Sequence, residues 1–363
     1  MSKWEYTETE LWRHGSEKYS IYHVFGLIAV KNAVIAFSEA RTGNGGDAGC
    51  IHDLVMRRSS DGGRTFEKSV MLLSGADGTC WTNPVPVYDA YTGRLFLFSS
   101  DNQGNCQTKN YVMHSDNLGM SWSKNREINA ALEEGSNPLP FHLAGPGHGI
   151  QLTRGAHAGR MIVPFWHRRY GTEKIPTERG YCVSMLYSDD HGVTWRHTEV
   201  FGQKCMANES RIVETHSSLL WIIRPGGDNP CRFESVSTDG GMTWTEPRPQ
   251  ASSPANNCDA GAVSVCAKEG WEDMVLMSRI QPVERRWDME ILISCDGGKT
   301  FTTRFAAPTG DAMPGYSDMC VIDEDEPVVG LLHCRSNHVL FSRISLQTLT
   351  AGKYENTQRR VWL

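Results

Sequence analysis

Acidic, basic and tyrosine side chains occur in short motifs whose residue types and spacing could serve chemistry. The segment AFSEAR ends at Arg41, and an aspartate follows six residues later within the glycine-rich run TGNGGDAG. Carboxyl groups can transfer protons, guanidinium groups match the fork of a carboxylate, and a tyrosine becomes a nucleophile where a base takes its proton. The candidates are Arg41, Asp47, Glu209 in ANES, Arg224 in IIRP, Arg285 and Arg286 in RRWDMEILIS, and Tyr316 in PGYSD.

Five copies of a turn motif predict the elements that position these residues. Each copy reads approximately Ser-x-Asp-x-Gly-x-Thr-aromatic, and the copies begin at Ser59, Ser115, Ser188, Ser237 and Ser294. Their starts lie 56, 73, 49 and 57 residues apart, a spacing typical of propeller blades. Extended runs flank the copies, so each is predicted to be a hairpin clasp in which Asp accepts backbone NH bonds. Calcium or ligand binding by the aspartates is the alternative, although Asn117 replaces the acid in one copy.

The chain is predicted to be a single all-β domain over residues 1–363. Its 35 glycines and 16 prolines suit a turn-rich architecture, and helix signals are few. We expect a six-bladed β-propeller of four-stranded antiparallel sheets, with one blade lacking the clasp. The N-terminal strand should close the ring beside the C-terminal strands, because propellers leave only protected sheet edges.

The composition gives no general reason for nucleic-acid or membrane binding. The 363 residues are 39% hydrophobic with a formal net charge of -6, which leaves an anionic small ligand possible. The first twenty residues lack a signal-peptide core, and no run of about 18 apolar residues occurs. We expect a soluble protein, cytoplasmic as written or secreted if a leader has been removed. Eleven scattered cysteines and the histidine spacing predict no metal site and no cofactor, and nothing indicates an oligomeric state.

The motifs between the clasps resemble those of the exo-sialidase (neuraminidase) family, from about Tyr22 to Leu349. The clasp itself resembles the Asp box, which identifies architecture better than activity. The resemblance is specific because unconnected short motifs occur in the family's order. They are AFSEAR, WTNP, GPGHGIQL, GRMIVP, ANES, IIRP, RRWDMEILIS and PGYSD.

The resemblance implies a glycosidase mechanism with a tyrosine nucleophile. A sialic acid carries a carboxylate on its anomeric carbon and would repel an Asp or Glu nucleophile, and sialidases use Tyr instead. By the resemblance, Tyr316 is the nucleophile, Glu209 is its base, and Asp47 is the acid that protonates the leaving oxygen. Asp47 lies on a glycine-rich loop that could close over a substrate.

The substrate carboxylate would be held by arginines, and here the chain departs from the family pattern. The candidates are Arg41, Arg224 and Arg286, with Arg285 as the competitor of Arg286. The family begins with a Tyr-Arg-Ile-Pro segment whose Arg belongs to this clamp, but this chain has His23 in that place. The remaining candidates for lining the pocket are Trp81, Asn83 and His148.

Three functions fit these residues. The first is a retaining exo-glycosidase that hydrolyses a terminal α-linked sialic acid, or a related nonulosonic or ulosonic acid, on a sialoglycan or other acidic-sugar substrate. The second is a glycan-binding propeller without turnover, which the retained Tyr-Glu-Asp set disfavours. The third is a lyase or trans-glycosidase that acts on an acidic sugar with the same residues.

Overall fold

A computed structural model describes most of the chain, and the structural statements below concern that part. The described residues are 5–132, 141–168, 180–254, 258–265, 273–281, 287–306, 315–322 and 327–351. Their two α-helices are short, α1 at Asn129–Leu132 and α2 at Leu346–Thr350. No helix within these residues is long and apolar enough to span a bilayer.

Twenty-five strands form six antiparallel sheets, which confirms the predicted six-bladed propeller. The first strand is β1 (Tyr6–Arg13), and blade 1 follows with β2 (Ile21–Val30), β3 (Ala33–Arg41), β4 (His52–Ser59) and β5 (Val70–Leu73). Blade 2 contains β6 (Trp81–Asp89), β7 (Arg94–Gln103), β8 (Gln107–Ser115) and β9 (Arg126–Glu127). Blade 3 contains β10 (Phe141–Ala144), β11 (Ile150–Gln151), β12 (Met161–Arg168), β13 (Tyr181–Ser188) and β14 (Arg196–His197).

The second half of the chain supplies the other three blades. Blade 4 contains β15 (Ser210–Glu214), β16 (Leu219–Ile223), β17 (Cys231–Ser237) and β18 (Arg248–Pro254). Blade 5 contains β19 (Ala262–Val265), β20 (Met274–Gln281), β21 (Trp287–Ser294) and β22 (Thr303–Ala306). Blade 6 contains β23 (Asp318–Ile322), β24 (Val328–Arg335) and β25 (His338–Ser345), and β1 completes it.

The ring closes through the N-terminal strand, as predicted. β1 pairs antiparallel with β25, from Tyr6 opposite Ile344 to Arg13 opposite His338. In the other five blades the clasp joins the third strand to the fourth. Blade 6 takes its fourth strand from the opposite end of the chain, so no hairpin connects these two strands. This explains why five clasps serve six blades.

Blade 3 differs in detail from the predicted four-stranded sheet. Its inner strand is divided into β10 and β11, and both pair with β12. The interruption is the segment Gly145-Pro146-Gly147, in which Pro146 has no NH to give to the ladder and Gly147 has a φ of 96°. A Cβ on Gly147 would lie 2.2 Å from the Arg211 guanidinium, so only glycine fits there.

The clasps have the predicted hairpin geometry. In the first copy the Ser59 hydroxyl accepts from the Gly63 NH at 2.8 Å and donates to Asp61 at 2.7 Å. The Asp61 carboxylate accepts from the Thr65 NH at 2.9 Å and the Thr65 hydroxyl at 2.6 Å. The copy with Asn117 keeps the same backbone contact and donates its side-chain NH to the Ser121 hydroxyl at 2.8 Å. All these contacts span four residues or fewer, so the clasp forms from local sequence.

The main core lies between adjacent blades. β16 has the sequence LLWII and all five side chains are buried. Between blades 2 and 3, the Phe98 ring meets Phe165 at 6.5 Å and Trp195 at 4.9 Å, both edge to face. Such aromatic pairs add to the burial of apolar area that drives folding. The blades therefore form one continuous ring that fixes the loops at either end of the central channel.

Removal of a clasp acid is expected to reduce stability. Burial alone would raise the pKa of Asp61, but the bonds from Thr65 lower it to about 2. Because the pKa is depressed in the folded state, this contribution is present above pH ~4 and is lost as the pH falls towards 2. The Asp61→Ala variant should lose about 1 kcal/mol in urea unfolding at neutral pH, since the clasp is exposed to solvent. Asp77→Ala, in a loop outside any clasp, is the control, and equal losses in both variants would contradict this role.

Candidate active site

The predicted site residues meet at one end of the central channel. Glu209 directly precedes the inner strand β15, and Arg224 directly follows its neighbour β16. The antiparallel pairing brings these two residues opposite each other, and the Arg224 NH donates to the Glu209 carbonyl at 3.0 Å. Tyr316 lies two residues before the inner strand β23. Inner strands thus begin, and second strands end, at the same end of the channel.

Tyr316, Glu209 and Arg224 form a hydrogen-bonded group. The Tyr316 hydroxyl donates to the Glu209 carboxylate, with Oη 2.6 Å from Oε1 and 2.7 Å from Oε2. Arg224 donates from Nη1 to the Tyr316 Oη at 2.9 Å and also to the Glu209 carboxylate. Tyr316 and Glu209 are 8% and 7% exposed, so the group is largely shielded from water. The phenol therefore has a base and a cation within direct contact.

The surroundings of Tyr316 oppose its spontaneous ionisation. Burial raises the pKa of its phenol, the Glu209 carboxylate raises it further, and Arg224 acts in the opposite direction. Burial would lower the pKa of Arg224, but Glu209 and Tyr316 raise it overall. The phenol is thus neutral at rest, and it can lose its proton only to the carboxylate that accepts its hydrogen bond.

His23 packs directly against the tyrosine. The two ring centroids are 4.4 Å apart, with a tilt of 58°. His23 is 8% exposed and lies opposite Glu39 in the register of β2 and β3. A bulge follows it, where Val24 has a φ of 59°. Such a φ is unusual for a β-branched residue, and the bulge changes the facing of the strand at this point.

Arg41 and Asp47 form a second charged group at the same end of blade 1. Arg41 is buried, and its guanidinium contacts the Glu39 carboxylate at 2.7 Å and the Asp47 Oδ1 at 2.7 Å. Burial would lower the pKa of Arg41, but these two carboxylates raise it overall. The Asp47 side chain is 75% exposed, so it faces solvent above the buried pair.

Glu39 is the principal site residue that sequence reasoning did not single out. Its carboxylate accepts from Arg41 Nε at 2.8 Å, from the Asn83 NH at 2.8 Å and from the Thr82 hydroxyl. It is fully buried. The available signal was the strand periodicity, because Glu39 and Arg41 are two residues apart and share one face of β3.

Three pocket candidates have mainly structural contacts. Asn83 is buried and donates to the Ala144 carbonyl at 2.6 Å, which links blade 2 to blade 3. Trp81 donates from Nε1 to the Ser74 carbonyl at 3.1 Å and packs on Tyr111 at 5.3 Å. The His148 Nδ1 lies 3.0 and 3.1 Å from the two Asp318 oxygens. The structure does not place these three side chains in the Tyr316 group.

His148 belongs to an ionic layer that lies deeper in the channel. Glu209 and Arg211 alternate on β15 as Tyr316 and Asp318 do before and on β23, so the second member of each pair lies deeper. Arg211 contacts Asp259 at 2.8 Å and Asp318 at 3.4 Å. Beneath this layer is a cavity of about 140 Å³ lined by apolar residues including Leu27, Val213, Val263 and Met319.

The remaining candidates and the metal prediction need only brief comment. Arg285 and Arg286 lie outside the described residues, so their placement stays a prediction. Within the described part of the chain, no cluster of three or more His, Cys, Asp or Glu side chains is arranged to hold a metal ion.

Comparison with known proteins gives a consistent family. The family described as BNR repeat-like domain matches residues 52–334. A sialidase of Micromonospora viridifaciens is 28% identical over 375 residues, which cover 95% of this chain and 54% of that protein. The chain spans less than two thirds of the length of the curated sialidases it matches first.

Solved structures share the fold. Hadza microbial sialidase Hz136 superposes with a TM-score of 0.80 at 23% identity, over 94% of this chain and 69% of that one. The intramolecular trans-sialidase from Ruminococcus gnavus, solved with oseltamivir carboxylate, superposes with a TM-score of 0.77 at 18% identity. It is covered over 97% of its length, and this chain over 93%.

Proposed function

The chain belongs to the family of sialidases with BNR repeats, and from this premise we propose that it is a retaining exo-glycosidase. Its substrate would be a glycan that ends in an α-linked sialic acid or a closely related nonulosonic or ulosonic acid. The observation that carries the proposal is the contact of the Tyr316 hydroxyl with both oxygens of Glu209 and with Arg224. A buried phenol that shares its proton with a carboxylate is arranged for nucleophilic attack.

The proposed reaction has two steps in which the protons balance. In the first, Tyr316 Oη bonds to the anomeric carbon, its proton passes to Glu209, and the glycosidic bond breaks as Asp47 protonates the leaving oxygen. In the second, Asp47 takes a proton from water, the water oxygen replaces Oη, and Glu209 returns its proton to Tyr316. Two displacements at one carbon retain the anomeric configuration.

Recognition of the sugar carboxylate would use the cations around the tyrosine. Arg224 and Arg41 are already paired with Glu209 and with Glu39 and Asp47. A bound carboxylate that draws Arg41 would release Asp47 from it, and Asp47 could then hold the proton that an acid needs. Arg286, or its neighbour Arg285, is proposed as a further cation of this clamp.

The experiment for this proposal follows the first product formed. The protein is mixed with a fluorogenic α-sialoside, and proton NMR records which anomer of the free sugar appears before mutarotation. Appearance of the α anomer is expected, and release of the β anomer would contradict a retaining mechanism. No release from sialosides or from other 2-keto acid glycosides between pH 4 and 8 would contradict hydrolysis altogether.

The same reaction mixtures separate the two alternatives. An intramolecular transferase or lyase would give a sugar one water lighter than free sialic acid, which mass spectrometry detects. A glycan-binding propeller would bind the sialoside in calorimetry and give no product. The Ruminococcus gnavus neighbour is an intramolecular trans-sialidase, so the anhydro product deserves the direct mass measurement.

His23 is expected to make substrate binding depend on pH. It contacts the Tyr316 ring and faces Glu39 across the register, and it carries positive charge only when protonated. His23→Arg should raise kcat/KM at pH 7.5 by about tenfold through KM, since a charge-assisted contact to a carboxylate contributes about 1.5–3 kcal/mol. His23→Gln should lose activity mainly below pH 6. Equal pH profiles for wild type and His23→Gln would contradict this role.

A further inference from the structure

The loop that carries Asp47 is held by side chains from separate segments of blades 1 and 2. We name residues 42–51, between β3 and β4, the acid loop. Three successive carbonyls of this loop each accept a side-chain hydrogen bond. The Gly45 carbonyl accepts from Arg41 Nη1 at 3.0 Å, the Gly46 carbonyl contacts His52 Nε2 at 2.9 Å, and the Asp47 carbonyl accepts from Asn102 Nδ2 at 2.9 Å.

The contact of His52 with Gly46 fixes the tautomer of the imidazole. A carbonyl oxygen can only accept, so Nε2 of His52 must carry the proton. Burial lowers the pKa of His52, although Glu39 acts in the opposite direction, so the ring is neutral and Nδ1 is an acceptor. Nδ1 lies 3.2 Å from the Cys80 sulfur. Burial raises the pKa of that thiol to about 12, so it is protonated and donates to Nδ1.

Asn102 is equally fixed in its orientation. Its Oδ1 accepts from the Asn105 NH at 2.9 Å, and its own NH donates to the Cys80 carbonyl at 2.9 Å. The Nδ2 group must therefore point away from Asn105 NH, and it donates to the Asp47 carbonyl and to the Asn105 side chain. A pairing between His52 and Cys80 joins the start of β4 to the start of β6, so both donors belong to one rigid frame.

The acid loop needs such a frame because it has little structure of its own. Gly43, Gly45 and Gly49 have φ values of 62°, 69° and 80°, and glycine-rich segments lose much entropy on ordering. The Asp47 side chain is 75% exposed, so side-chain packing does not hold it in place. Its position is set by the backbone, and a proton donor that is misplaced by about 1 Å loses much of its effect.

We propose that His52 and Asn102 are positioning residues for proton transfer by Asp47. Their bonds to the Gly46 and Asp47 carbonyls hold the acid loop so that the Asp47 carboxyl lies over the site instead of moving in solvent. This role rests on the proposed glycosidase function. It assigns a catalytic purpose to two buried polar residues that touch neither Tyr316 nor Glu209 in the described structure.

The dependence on leaving group distinguishes positioning of the acid from general support of the fold. An alkyl sialoside needs protonation of its leaving oxygen, whereas a 4-nitrophenyl sialoside has a stable leaving group and needs little. For His52→Leu and Asn102→Asp, kcat/KM should fall by at least about tenfold on the alkyl substrate and by less than about threefold on the nitrophenyl substrate. Asp47→Ala should show the same pattern more strongly.

Two further variants control for the change of side chain. His52→Gln keeps an NH donor at a similar reach and should recover part of the lost activity on the alkyl substrate. Asn117→Asp makes the same chemical change as Asn102→Asp in a clasp, where the other four copies already carry Asp, and should leave both activities unchanged. Thermal unfolding of each variant records whether it is folded.

The outcomes separate this inference from the function on which it rests. Equal losses on both substrates, or no loss on the alkyl substrate, would overturn the positioning role while the glycosidase remained. Absence of turnover by the wild type on either sialoside would overturn the proposed function itself. A selective loss on the alkyl substrate in both variants, with Asn117→Asp unaffected, would support the inference.

Discussion

Replacing Tyr316 by phenylalanine is expected to lower kcat/KM by at least about 10³-fold, because the variant has no oxygen to attack the anomeric carbon. The fold should tolerate the change, since only the hydroxyl is removed. Glu209→Gln should cause a comparable loss, because an amide can accept the hydrogen bond but cannot take the proton. Steady-state kinetics on a fluorogenic α-sialoside would measure both variants.

The pair should behave as one catalytic unit. The double variant Tyr316→Phe/Glu209→Gln is expected to be about as slow as either single variant, since each change already removes the same step. Tyr19→Phe is the matched control, because the buried Tyr19 hydroxyl also donates to a carboxylate, Asp53, at 2.6 Å. Losses that multiply in the double variant, or an equal loss in Tyr19→Phe, would contradict the assignment.

The second large effect is expected at Arg224. Arg224→Met leaves the Glu209 carboxylate without its cation and removes the donor to the Tyr316 hydroxyl. Loss of one partner from a buried pair costs about 3–5 kcal/mol, so kcat/KM should fall by about 10²-fold or more. Arg224→Lys should recover part of the activity, because it restores a charge without the planar fork.

A second buried arginine separates catalysis from stability. Arg160 forms a two-point contact with Asp189 at 2.7 and 3.0 Å, and neither residue belongs to the Tyr316 group. Arg160→Met should lower the unfolding temperature and leave kcat/KM within about twofold. Activity of Arg224→Met within threefold of the wild type would show that the arginine contributes little to either binding or proton transfer.

The fold could be predicted because its repeated unit is local. The bonds of each clasp join residues at most four apart, such as Ser59 to Gly63 and Asp61 to Thr65, so one motif reveals one hairpin. Five copies and a ring of six blades then follow once the terminal strand closes the last sheet. The division of the inner strand of blade 3 was not predicted, since it depends on how Gly147 meets Arg211 across two blades.

The site could be predicted only in its membership. Tyr316 and Glu209 are 107 residues apart, and Tyr316 and Arg224 are 92 apart, so motif order indicated a shared site but no contact. Glu39, His52 and Asn102 were missed because their partners depend on strand register and on loop carbonyls. His148 was a candidate for the pocket, yet its contact with Asp318 depends on a distant strand.

The most direct test of the tyrosine nucleophile is to trap the sugar on the protein. The wild type is incubated with 2,3-difluorosialic acid, and intact mass and peptide mapping locate any adduct. One sugar attached to Tyr316 is expected in the wild type, with none in Tyr316→Phe. An adduct on a carboxylate, or turnover of an α-sialoside by Tyr316→Phe at the wild-type rate, would contradict the proposal.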